Sequence, residues 1–183
     1  MRRMFRRELR RSYGPPDMLP ILQRANELMA TGDYAGAASS FEQAARATEG
    51  HAGRRAPLLY LQAGRARIFA GQNAMGVELL ERGLGLFAMR GRPRKLARVA
   101  YRIINELHQR GLTKEAQQIT NYVTSLAPGI NLNNVPDETA EKHPILPRHC
   151  PGCGAPIHPD DVDWIDNVTA ECEYCGSPVR GEN

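Results

Sequence analysis

Aromatic side chains make up only 6% of this chain, and no stretch approaches the ~20 consecutive apolar residues a bilayer-spanning helix requires. Few aromatics beside abundant Ala, Leu and Arg lean the chain toward helix. The N-terminus is basic but lacks the apolar core and small-residue cleavage site of a secretory signal, so the cytoplasm is the expected compartment. A phosphate-cradling glycine loop, a nucleophile motif and a pair of motif-placed carboxylates are all missing, and no enzyme is expected. His51 and His108 stand alone, one on a loop and one on a helix, both expected at the surface. Cysteine is absent from the first 149 residues.

What is present divides unevenly. At 183 residues, 42% hydrophobic and 24% charged, the chain has room for one ordinary domain and a small appended module. Residues 1–16 carry a formal charge of +5, residues 17–128 carry +6, and residues 129–183 carry −7, which together make the chain's +4. A basic body therefore precedes an acidic tail, and partner arguments must treat them separately.

Residues 1–12 suit a short helix with Met1, Phe5 and Leu9 on one face, ended by Gly14, Pro15 and Pro16. Amphipathic helices then follow to about Pro128. Leu96, Val99, Ala100, Ile103, Ile104 and Leu107 keep the 3.6-residue period; beyond Gly111, Ala116, Ile119, Thr120, Val123 and Ala127 repeat it. Three segments superimpose on Gly32, Gly71 and Gly111, which are 39 and 40 residues apart. Seven residues before each comes Ala25, Gly64 or Ile104; five after comes Ala37, Gly76 or Ala116; nine after comes Phe41, Leu80 or Thr120. Small residues at such places let antiparallel helices approach closely, with a large apolar residue reaching the next pair.

This pattern resembles the tetratricopeptide repeat, over roughly residues 17–128. Gly32-Asp33-Tyr34, Ala37, Phe41 and Ala44 carry the likeness best, and Pro128 falls where that family closes a repeat. The period exceeds the family's ~34 residues, which puts the extra residues in the loops near 50–55 and 90–93, and Thr120 departs from the expected large apolar residue. The resemblance implies an all-α array of three helical hairpins. Its exposed ends need covering, by the N-terminal segment, the tail or a second copy of the chain.

Residues 129–148 are rich in Pro and Asn and without periodicity, which reads as a linker. Residues 149–183 hold Cys150-Pro-Gly-Cys153-Gly and Cys172-Glu-Tyr-Cys175-Gly. Paired two-residue gaps without a secretion signal favour metal over disulfides. Each gap lets two thiolates of one tight turn reach the same ion, and the glycine after it permits the positive φ that aims backbone N–H groups at sulfur. Val162–Ile165 and Val168–Glu171 read as a hairpin turning at Asp166-Asn167. The whole resembles a zinc ribbon: one structural zinc ion on Cys150, Cys153, Cys172 and Cys175, four thiolates leaving no open position. His149 and His158 are expected as solvated or outer-sphere residues, and Trp164 as the cap of a small core. Arg148 and Arg180 are outnumbered by Asp160, Asp161, Asp163, Asp166, Glu171 and Glu173, a poor balance for phosphate contact, so the ribbon is expected to dock protein.

In tetratricopeptide arrays the first helix of each pair lines a groove. Similarity to members that grip peptide carboxylates implies a polar rank of Asn26, Arg65, Asn105 and Arg98, with Arg94, Lys95 and Arg102 extending a basic stripe. The expected function is a protein–protein adaptor whose groove takes an acidic or carboxyl-terminated segment while the ribbon serves as a second docking or regulatory module. The alternative is a nucleic-acid- or ribosome-associated factor using the N-terminal Arg cluster and the Arg stripe; a membrane-surface role ranks last.

Overall fold

A computed structural model describes residues 18–49, 55–91, 93–132, 144–159 and 162–181. The N-terminal Arg cluster and His51 lie outside them. Among the described residues six helices come first: α1 (Met18–Thr31), α2 (Tyr34–Glu49), α3 (Ala56–Phe69), α4 (Asn73–Met89), α5 (Pro93–Gln109) and α6 (Thr113–Leu126). Three short strands follow: β1 (Asp163–Trp164), β2 (Thr169–Glu171) and β3 (Pro178–Arg180). None of the described helices is long and apolar enough to cross a membrane.

The helices pair through glycine turns. Gly32, Gly71 and Gly111 have φ of 86°, 76° and 75°, the left-handed conformation that ends a helix at little cost only in glycine. Asp33 then restarts the chain as α2, its Oδ1 accepting the Gly36 N–H at 2.9 Å. Pro93 opens α5 at the position where its missing N–H leaves no helical bond unmade.

Burial follows the periodicity. Leu96, Val99, Ala100, Ile103 and Leu107 face inward on α5, and Ala116, Ile119 and Val123 on α6. Thr120 is half-buried and turns its hydroxyl to the Ala116 carbonyl at 2.9 Å, and the fully buried Ile119 supplies the large apolar side chain beside it. Every residue from Ala56 to Gly64 is buried, so α3 is central and packs on both α2 and α4. The small residues act where the two central helices touch. A Cβ on Gly64 would lie 2.8 Å from the Gly76 carbonyl oxygen, and one on Gly83 would lie 2.8 Å from that of Pro57. Of the two loops expected to hold the extra residues, the one near 50–55 lies mostly outside the described residues, and near 90–93 the chain has little loop. Helix α4 runs to Met89 and α5 starts at Pro93, each with 17 residues, so the added length is helical.

The strands form one antiparallel sheet in the order β1-β2-β3, with Asp163 opposite Glu171, Trp164 opposite Ala170 and Ala170 opposite Val179. The expected hairpin is present, shorter at its start than the sequence suggested, and turns where Asp166 Oδ1 accepts the N–H groups of Val168 (2.9 Å) and Thr169 (2.8 Å). Those backbone N–H groups hold the Asp166 carboxyl below its ordinary range. The third strand was not anticipated: β3 is three residues long and begins with proline. Leu146, Ile157, Ala170, Tyr174 and Val179 belong to the same contiguous apolar core as the helices. The C-terminal module is thus packed on the helical body.

Candidate metal centre

Two loops of the same build hold the cysteines. In each, the first Cys donates its N–H to the residue five positions on, and its carbonyl accepts the N–H of the glycine four positions on. Cys150 N reaches Ala155 O at 2.8 Å and Gly154 N reaches Cys150 O at 2.8 Å; Cys172 N reaches Ser177 O at 2.9 Å and Gly176 N reaches Cys172 O at 2.8 Å. The glycines make this possible, with φ of 76° and 77°. The first loop is closed by a bridge between His149 and Pro156; the second leads from β2 into β3.

All four sulfurs lie within 4.8 Å of one another, and no disulfide joins them. Cys150 Sγ is 3.7 Å from Cys175 Sγ, and Cys153 Sγ is 3.9 Å from Cys172 Sγ. Thiolates ~2.3 Å from a tetrahedral ion sit ~3.8 Å apart, so the cage has the dimensions of a four-sulfur site for one metal ion. Three of the cysteines are buried and Cys175 is half-buried. Hydrogen bonding to Cys172 and Cys175, then burial, pushes the Cys153 thiol far above its usual range. Hydrogen bonds received from Cys153 and Cys172 draw Cys175 far below it, against the opposing effect of burial. A bound cation lets four such close sulfurs ionise together. Of the two flanking histidines, His149 and His158 are both exposed, and Trp164 is partly buried against the core.

The loops bearing the cysteines also make the contact with the helices. Gln23 Nε2 donates to the Gly152 carbonyl and Asn26 Nδ2 to the Cys153 carbonyl, each at 2.8 Å. On the second loop, Gln62 Nε2 donates to the Tyr174 hydroxyl at 2.9 Å, and Lys95 forms a largely buried ion pair with Glu173. Tyr174 is 6% exposed, and burial pushes its phenol up to about 12.

Between α3, α5 and this module lies a cleft of about 580 Å³. Leu58, Leu61, Val99 and Ile103 form an apolar lining, and Arg65, Arg102, Asn105 and Arg110 stand among its polar groups. Arg65 is tied to Glu106, with Nη2 donating to Oε1 at 3.2 Å. Its Nε is 2.8 Å from Oε2, near enough for an ion pair but without hydrogen-bond alignment. Of the six residues the sequence nominated as a partner surface, Arg65, Arg102 and Asn105 share this cleft, and Asn26 instead holds the cysteine loop. Arg94 and Arg98 lie on α5 but do not line the cleft, Arg94 exposed and Arg98 half-buried.

Sequence reasoning did not single out Gln23, Gln62 or Tyr174. Gln62 left a signal: it is the one amide inside the buried run Ala56–Gly64, and a buried amide needs a partner. Comparison with protein-family models, with curated proteins and with solved structures finds no match, so the chain's role has to be read from its own residues.

Proposed function

We propose that the chain is a non-enzymatic adaptor: three tetratricopeptide-like hairpins whose groove binds an acidic or carboxyl-terminated segment of another protein, with a zinc-held ribbon seated beside it. Zinc suits the donor set, because four thiolates in a tetrahedral cage are the chemistry of a structural zinc site. With every position filled by sulfur, the ion's part is to hold the loops in shape.

The observation that carries the reading is the Lys95–Glu173 pair. The basic face of α5 already grips an acidic stretch of protein, and the cleft beside it sets three arginines around an apolar lining. An extended segment with a carboxylate would meet the Arg102 guanidinium and the Asn105 amide, with Arg110 paired to Glu106 alongside. The nucleic-acid alternative has less behind it, because Lys95 of its stripe is engaged by Glu173.

The test is fluorescence anisotropy of the full chain with labelled acidic peptides, each with a free or amidated C-terminus and a charge-reversed control. Acidic peptides should bind, and Arg102→Glu should weaken them by about tenfold, near 1.4 kcal/mol. Equal affinity for acidic and charge-reversed peptides would sink the adaptor reading. Tight binding of RNA or DNA in the same assay, lost steeply with salt, would favour the alternative.

A further inference from the structure

The four docking side chains named above all end on residues of the cysteine loops. Gln23 and Asn26 hold the carbonyls of Gly152 and Cys153; Lys95 and Gln62 hold Glu173 and Tyr174, the two residues between Cys172 and Cys175. The fit is close on both loops. A Cβ on Gly154 would lie 3.2 Å from the Asn26 Cβ, and one on Gly176 would collide with the Arg55 guanidinium. The geometry that a metal ion imposes on the loops is therefore the geometry the groove receives.

Within the module itself little else holds that geometry. The strands of the module are two, three and three residues long. A module of this size buries too little apolar surface to fold unaided, which is why metal binding and folding coincide in such units. Beneath the second loop the groove offers the Gln62 amide, the Lys95 ammonium and the neighbouring Leu58 and Leu61, a face matched to an acidic residue next to an aromatic one.

We propose that metal occupancy gates this face. With the ion bound, the cysteine loops are docked and Glu173-Tyr174 covers Lys95 and Gln62 at one end of the groove; without it the loops leave, and that end opens to an acidic, aromatic-bearing segment of another protein. By linkage the coupling runs both ways: the groove residues raise the metal affinity by as much as the metal strengthens docking. This rests on the reading of the four cysteines as a zinc site.

The chain has three lysines, Lys95, Lys114 and Lys142, which makes amine acylation a direct probe. In the docked state the Lys95 side chain is 14% exposed, whereas Lys114 is exposed. The full chain is acylated with and without one equivalent of zinc, the chelated sample checked for metal by native mass spectrometry and for helix by far-ultraviolet circular dichroism. The expected result is that chelation brings Lys95 labelling close to the Lys114 rate while Lys114 and the helical signal stay constant. In a second arm, Asn26→Ala and Gln62→Leu should each weaken zinc binding by about tenfold in a chelator competition, the size expected for outer-sphere partners. Lys95 staying protected after the metal has left would overturn the gate, and so would loss of helix together with the metal. Unchanged zinc affinity in both variants would remove the coupling. A chain that takes up no zinc at all fails the metal reading itself, which native mass spectrometry tells apart from failure of the gate.

Discussion

The helical body and the C-terminal module achieve order by opposite means. The body buries apolar side chains at every third or fourth position, its turns are closed by glycines, and α3 is surrounded on nearly all sides. The module has three strands of at most three residues, and four sulfurs where a larger domain would have a core. Packing tolerates the loss of one contact because many others remain. A cage of four donors loses its purpose when one is removed. The two regions share an apolar core and meet besides through a few polar contacts between residues 78 to 129 positions apart, as at Lys95–Glu173, Gln62–Tyr174 and Gln23–Gly152.

The contrast is broken most directly at the cage. Cys153→Ser should abolish tight zinc binding and the order of residues 144–181 while the helical circular dichroism persists. The energy at issue is the ~10–16 kcal/mol of structural zinc sites, so no partial effect is expected. Should the helices melt as well, the body depends on the module far more than its packing implies.

Next in size is the glycine seam between α3 and α4. Gly64→Ala would drive a Cβ to 2.8 Å from the Gly76 carbonyl oxygen and against Leu80, and overpacking of this kind costs about 1–3 kcal/mol. Urea denaturation followed by circular dichroism should show an earlier midpoint with zinc content unchanged.

Gln62→Leu probes the join. It leaves the buried Tyr174 hydroxyl without its donor, a loss of about 1–3 kcal/mol, and hydrogen exchange should rise in residues 172–176 before it rises in α3. Equal rises in both would mean that the two regions open as one.

The smallest effect lies on the body's edge. Tyr60 donates to Glu49 Oε2 at 2.6 Å, and Arg82 reaches the same carboxylate at 2.8 Å. The Tyr60 hydroxyl, then Arg82, lower the Glu49 carboxyl from its ordinary 4.5 despite some desolvation. A carboxyl lowered on folding stabilises above its unfolded value and stops doing so as pH falls through its folded one. The stability gap between the chain and Tyr60→Phe should therefore be widest near neutral pH and narrow below about pH 4.5, as thermal melts across that range would register.

The difference between the regions also explains what could be read from residues alone. Helical periodicity is local, so the inward faces of α5 and α6 were visible, as were the turn glycines. The two Cys-X-X-Cys-Gly pairs were visible for the same reason, since each loop is built from six consecutive residues. Strand β3 was not: Pro178-Val179-Arg180 has no alternation to detect, and its place follows only from pairing with β2. The docking was hidden by distance. Asn26 looks like a groove residue awaiting a partner until Cys153, 127 positions later, is found against it. Thr120 and Ile119 show a smaller failure of the same kind, where a repeat template pointed one residue too far along the helix.

The shared core has a practical corollary. The proline-rich stretch after α6 invites a cut, as though two pieces could be lifted apart there. Because Tyr174 seats its ring beside Gln62 and Leu146 is walled in with the rest, severing the chain at that point would bare a greasy strip on one piece and strand an aromatic plug on the other. Each fragment would then be stickier in solution than the whole chain, and shortened versions would clump more readily.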